Sequence, residues 1–121
     1  AGGRRAGEAG VSPLVDVAAL EDLPVGEPVR VEVDDTPVCL VNLDGTVRAV
    51  HDVCTHALES LSGGWVDEDR IECPRHGAAF SLETGEALTP PATKALPTFA
   101  VEVRDGRVLV DPTPSRAHPI A

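Results

Sequence analysis

Two observations predict an all-β domain. Valines alternate with charged residues at a period of two, most plainly Val29, Val31 and Val33 against Arg30, Glu32 and Asp34, which marks a half-buried strand. Asp44-Gly45 and Asp105-Gly106 each separate two apolar runs, a strong short-range signal for a β-hairpin. At 121 residues the chain has the length of one domain. Its aromatic residues are Trp65, Phe80 and Phe99, so valine fills most of the core.

Taken in order, residues 1–10 (AGGRRAGEAG) are small, Gly-rich and without periodicity, and are expected to form a flexible arm. No apolar stretch follows Arg4-Arg5, which argues against a twin-arginine export signal. A first strand is expected at Leu14 to Ala18, a turn or single helical turn at Leu20 to Pro24, and a second strand at Pro28 to Asp34. Pro37 to Leu43 is a more continuous apolar run, consistent with a central strand, and its Cys39 reads as a small buried hydrophobe. The Asp44-Gly45 turn leads into Thr46 to Val50, which delivers the chain to Cys54. Short strands are expected at Arg70 to Cys73 and Ala79 to Leu82, with a tight turn at Glu83-Thr84-Gly85-Glu86. Pro97 to Arg104 and Arg107 to Asp111 complete the set as a hairpin. Residues 112–121, with three prolines and no core pattern, read as a tail in which His118 is solvated. The single domain is thus expected to span residues 11–111.

The net charge of −10 limits the partners. Between residues 11 and 111, nineteen acids face seven bases, so nucleic acid and anionic membrane surfaces, which call for basic patches, are disfavoured. A basic protein partner is favoured. No apolar run approaches the length of a spanning helix, and the N-terminus lacks the apolar core of a signal peptide. Three cysteines leave one without a mate if two bind metal, which fits a reducing compartment. The expectation is a soluble, cytoplasmic protein.

The chemistry lies in Cys54-Thr55-His56 and, after sixteen residues, Cys73-Pro74-Arg75-His76. Each segment offers one thiolate and one imidazole. The Cys and His of a segment are too close in sequence to wrap one ion as readily as a Cys-x-x-Cys knuckle, so two metals sharing a pocket fit better. A Cys2His2 set holding one structural zinc is the alternative. Trp65 between the segments reads as a packing anchor, and Gly63 and Gly64 as residues that let a loop fold tightly. The acids Glu59, Asp67, Glu68, Asp69 and Glu72 are expected around the face of the centre. His51, three residues before Cys54, could be proposed as a fifth ligand, but the four-residue set is already complete without it.

This Cys-x-His and Cys-x-x-His pattern, with Pro74 and Gly77 in place, resembles the signature of the Rieske [2Fe-2S] family over roughly Val11 to Asp111. The resemblance implies a Rieske fold: an antiparallel β-sheet base carrying a cluster-binding subdomain of two ligand loops. It implies that Cys54 and Cys73 bind one iron, and His56 and His76 the other. It also makes Pro90-Pro91 the counterpart of a proline loop that covers the cluster. An oxygenase active site is not expected in the chain, since a mononuclear iron triad would have only His51 and His118 left to draw on. The implied function is a ferredoxin of an aromatic-ring-hydroxylating dioxygenase system. It would be a monomeric electron carrier between a flavoprotein ferredoxin reductase and a terminal oxygenase, not an enzyme. The small Rieske-like subunit of a nitrite reductase is the alternative. High-potential members of the family carry a Ser and a Tyr where Ala78 and Phe80 stand here. They also have a disulfide where Glu59 and Arg75 stand, so a low potential is implied.

Overall fold

The computed structural model describes residues 13–75, 77–90 and 92–121. The expected arm at residues 1–10, the ligand candidate His76 and Pro91 lie outside them. Ten strands follow in order: β1 (Val15–Ala19), β2 (Val29–Val33), β3 (Thr36–Asn42), β4 (Val47–His51), β5 (Trp65–Asp67), β6 (Arg70–Glu72), β7 (Ala79–Ser81), β8 (Thr98–Phe99), β9 (Val101–Arg104) and β10 (Arg107–Val110). Single 3-10 turns occupy Leu20–Asp22 and Leu61–Gly63. The strands form three antiparallel sheets, ordered β9-β10-β1, β2-β3-β4-β8 and β5-β6-β7. The all-β expectation and its antiparallel base hold.

β3 is the hinge of the packing. Alternate side chains of a strand point to opposite faces. Val38 and Leu40 therefore enter one core with Leu23, Val33, Ala49, Phe99, Val108 and Val110. Cys39 and Val41 enter a second core with Val50, Leu61, Ile71, Phe80, Leu82 and Leu96. Burial on both faces is why residues 37–43 read as a continuous apolar run. Each fully buried Val or Leu contributes about 1.5–3 kcal/mol relative to exposure. The second core also contains Cys54 and Cys73, so the sheet base and the ligand loops share one apolar interior.

The Asp-Gly hairpins form as expected. Asp44 and Gly45 both take positive φ (61° and 112°), as do Asp105 and Gly106 (52° and 76°), the conformation that tight hairpin turns demand of their central residues.

The structure differs from the sequence expectation at three places. Residues 97–104 are not one strand, because Phe99 pairs with Ala49 in one sheet and Val101 with Val110 in another. The chain changes sheets at Ala100, whose carbonyl accepts the Asp111 N–H. Trp65–Asp67 forms a strand that three residues of mixed character do not announce. The segment after β10 is also more than a tail. Ser115 exchanges hydrogen bonds with Thr98, its N–H reaching the Thr98 carbonyl at 2.8 Å and its Oγ accepting the Thr98 N–H at 2.9 Å. His118 is half-buried rather than solvated.

Candidate metal centre

The first ligand segment leaves β4 at His51 and turns tightly. The Cys54 N–H donates to the Glu59 carbonyl at 3.0 Å, and Val53 bridges Ser60 in antiparallel fashion. Below the turn, Asp52 is fully buried. Its carbonyl accepts the Leu61 N–H at 2.6 Å, and its Oδ1 accepts the Ser62 N–H at 2.8 Å. Arg30 lies 3.6 Å from Asp52 Oδ2, giving the buried carboxylate a counterion. Thr55 donates its hydroxyl to the Lys94 carbonyl at 2.7 Å, tying the segment to the strand-free stretch before β8.

The second segment leaves β6 and returns into β7 within a few residues. The Cys73 N–H donates to the Ala78 carbonyl at 2.7 Å, and Gly77 at φ +70° makes so short a return possible. Thr89 closes it from outside, its Oγ1 accepting the Ala79 N–H at 2.9 Å and lying 3.4 Å from the Gly77 carbonyl. The residue before Pro90 thus anchors the expected covering loop.

Cys54 and Cys73 meet from the two segments, both fully buried, and their side chains hydrogen-bond to one another. Each sulfur also receives a backbone N–H, Cys54 from His56 at 3.4 Å and Cys73 from Arg75. Burial pushes the Cys73 thiol up to about 11, against the Arg75 N–H, which pulls it down; the Cys54 sulfur adds to the rise. A pair of buried sulfurs with inward N–H donors suits a centre that takes two thiolates together and holds negative charge near them. His56 is exposed at the rim. His76, the fourth candidate ligand, lies outside the described residues.

Cys39 is a fully buried residue of β3 in the same core as Cys54 and Cys73, and burial raises its thiol. Among the described residues the cysteines form no disulfide. Trp65 is not the packing anchor expected: it is 60% exposed and stands on the same face of the β5-β6 hairpin as its cross-strand partner Glu72, one residue before Cys73. Leu58, in the first ligand segment, is 76% exposed. The acids are not gathered as a ring. Glu59 and Glu72 lie beside the ligand segments, whereas Asp67 ends β5 and Glu68 and Asp69 form the far turn of the hairpin, where Asp69 lies 3.7 Å from Arg48.

Residues 14–100 match the Rieske [2Fe-2S] domain family. The chain belongs to that family. Over 96 residues it is 35% identical to the ferredoxin component of the naphthalene 1,2-dioxygenase/salicylate 5-hydroxylase systems of Ralstonia sp, spanning 79% of this chain and 92% of the relative. Over 92 residues it is 42% identical to the 3-phenylpropionate/cinnamic acid dioxygenase ferredoxin subunit of Escherichia coli K12, spanning 74% and 85%. A chain from the complex of reduced oxygenase and oxidized ferredoxin in carbazole 1,9a-dioxygenase superposes with a TM-score of 0.80 at 37% identity, covering 86% of this chain and 97% of the other. The protein is a Rieske-type ferredoxin, an electron carrier with one [2Fe-2S] cluster, and not itself an enzyme.

Sequence reasoning missed Asp52 and His118 as parts of this end of the molecule, and it placed Trp65 between the ligand segments but read it as buried packing. Only Trp65 had a readable signal, since an indole between Gly64 and an acidic run has few apolar neighbours in sequence to pack with.

Proposed function

We propose that Cys54 and Cys73 hold one iron of the cluster and His56 and His76 the other. The observation that carries this ligand set is the meeting of the two buried sulfurs from separate loops, each with its own N–H donor. Bound there, the cluster supplies one-electron chemistry. The chain's own residues exclude water from the sulfurs, fix their direction through the Cys54 and Cys73 main-chain hydrogen bonds, and leave His56 toward solvent.

In this reading the carrier is a cytoplasmic monomer that takes electrons from a flavoprotein ferredoxin reductase and passes them to the terminal oxygenase of an aromatic-ring-hydroxylating system. The ferredoxin components among its relatives support the pathway. An oxygenase bound to a ferredoxin in the carbazole system supports the partner. No helix among the described residues is long and apolar enough to cross a membrane. Exposed Trp65 and Leu58 beside Glu72 and Glu59 offer apolar anchors with acidic neighbours, which suits a basic docking face.

Iron and acid-labile sulfide assays of wild type, Cys73→Ser and His56→Ala test the ligand set. Two irons and two sulfides per chain are expected for the wild type, and colourless or spectrally altered protein for the variants. A Cys73→Ser protein with the full visible spectrum would refute it. Rising ionic strength should slow the reaction with the reductase, because steering between opposite charges is screened over about 10 Å at 0.1 M salt.

A further inference from the structure

We infer that His51 and His118 are positioning residues that grip Val53 from both sides and so fix the backbone that carries Cys54. The inference rests on the proposed ligand set, in which Cys54 is the first iron ligand. His51 Nδ1 accepts the Val53 N–H at 3.1 Å, and His118 Nε2 lies 2.7 Å from the Val53 carbonyl. The two rings face one another with centroids 4.5 Å apart at 53°.

The hydrogen bonds set the tautomers. His118 Nδ1 accepts the N–H groups of Ile120 at 3.1 Å and Ala121 at 2.9 Å, so its proton sits on Nε2 and is donated to the Val53 carbonyl. His51 accepts at Nδ1, so its proton is on Nε2. The peptide group between Val53 and Cys54 is therefore held at both ends. Its carbonyl accepts from His118, and its N–H, that of Cys54, donates to the Glu59 carbonyl.

His118 reaches this place because the segment after β10 is strapped across the sheet edge. Ser115 pairs with Thr98, and Arg116 Nη2 donates to the Thr84 carbonyl at 3.4 Å. The strap thus ends on the residue next to the first cysteine, sixty-five residues back in the chain. A rotation of the Val53–Cys54 peptide would move the sulfur and redirect the N–H that His56 gives it. Neither imidazole needs to touch the cluster to set where that sulfur points.

The test uses the cluster-loaded full chain as wild type, His118→Ala, His118→Gln and a variant lacking residues 117–121. Three quantities are read: the rate at which an iron chelator bleaches the protein, the EPR g values of the dithionite-reduced cluster, and Tm. Loss of the donor to the Val53 carbonyl should speed bleaching about tenfold and shift the g values in both His118→Ala and the shortened chain. His118→Gln, whose side-chain NH2 can replace the imidazole Nε2–H, should restore both toward wild type. If His118→Ala does not fold, the shortened chain supplies the same comparison. A lowered Tm with wild-type bleaching and g values would overturn the grip, as would a Gln variant no better than Ala. A wild type without iron and sulfide would instead overturn the ligand set, so the two failures are told apart.

Discussion

Arg75 donates to Glu59 across 2.9 Å and so joins the second ligand loop to the first. The same Glu59 accepts the Cys54 N–H through its carbonyl, and the same Arg75 gives its N–H to the Cys73 sulfur. An ion pair therefore stands at the two positions where high-potential members of the family carry a disulfide. It is a weaker link: both side chains are at least one-third exposed, and exposed pairs contribute about 0–1 kcal/mol.

Replacing Arg75 with Ala should accordingly speed chelator-driven cluster loss no more than about fivefold at low salt. Salt screens the pair in the wild type, so the difference should shrink as ionic strength rises toward 1 M. Bleaching of the visible absorption, followed at low and high salt, is the measurement. An Arg75→Ala effect that is large and independent of salt would assign the residue another role.

Gly64 lies where the first loop passes the strand leading to Cys73. A Cβ there would meet the Glu72 carbonyl oxygen at 1.9 Å, and backbone cannot step aside as a side-chain tip can. Gly64→Ala should therefore cost about 1–3 kcal/mol and lower the yield of cluster-loaded protein. Gly26→Ala is the control, since its Cβ meets nothing within 4 Å and only the φ of +81° is strained. Urea unfolding of the two variants should place Gly64→Ala below Gly26→Ala in stability, and only Gly64→Ala should lower the yield of cluster-loaded protein.

The strands of the base were legible because each shows its environment in sequence. Val29, Val31 and Val33 alternate on an edge strand, while Val38 to Val41 run together because both faces of β3 are covered. The ligand segments were legible because Cys and His at such spacing serve few other purposes. What was hidden depends on contacts distant in sequence. Nothing around His118 announces that it will seat on Val53, and nothing around Asp52 announces Arg30. Ala100 looks like any other residue of a strand, yet the chain changes sheets there, Phe99 pairing with Ala49 and Val101 with Val110. Trp65 misled because burial is the common fate of an indole.

Burial, with the facing His118 ring, pushes His51 down to about 4 from its ordinary 6.5, although Asp52 opposes the shift. Above pH 6.5 the side chain is neutral in both folded and unfolded chains, and its contribution to stability is fully present. As pH falls from 6.5 toward 4, the unfolded chain takes up a proton that the folded chain does not, so stability is lost across that window. Asn at position 51 cannot titrate and offers an oxygen to the Val53 N–H. The difference in Tm between wild type and His51→Asn should therefore move against the wild type as pH drops from 7 to 4.5. A difference constant with pH would contradict this assignment.

The midpoint potential should lie near the bottom of the Rieske range, about −150 mV. Ala78 and Phe80 stand where high-potential members carry Ser and Tyr, and both are fully buried in the core that contains Cys54 and Cys73. Neither offers a hydroxyl to the cluster. A donated hydrogen bond stabilises the reduced centre more than the oxidised one, because reduction adds negative charge. If that preference is about 1.4 kcal/mol for each donor, the one-electron potential rises by roughly 59 mV. The negative surface acts in the same direction as the missing donors, but solvent screening makes it the smaller effect. Ala78→Ser adds one oxygen beside the Cys73 N–H···O=C return, and Phe80→Tyr extends a buried ring on a residue whose backbone pairs with Ile71 and bridges Ala87. The pair together should raise the potential by on the order of 100 mV, and by less where the packed core turns the new hydroxyls away. Protein-film voltammetry at neutral pH measures both. A wild-type midpoint above about 0 mV would contradict the low-potential expectation, since it would require donors to the sulfurs beyond the main-chain N–H groups of His56 and Arg75.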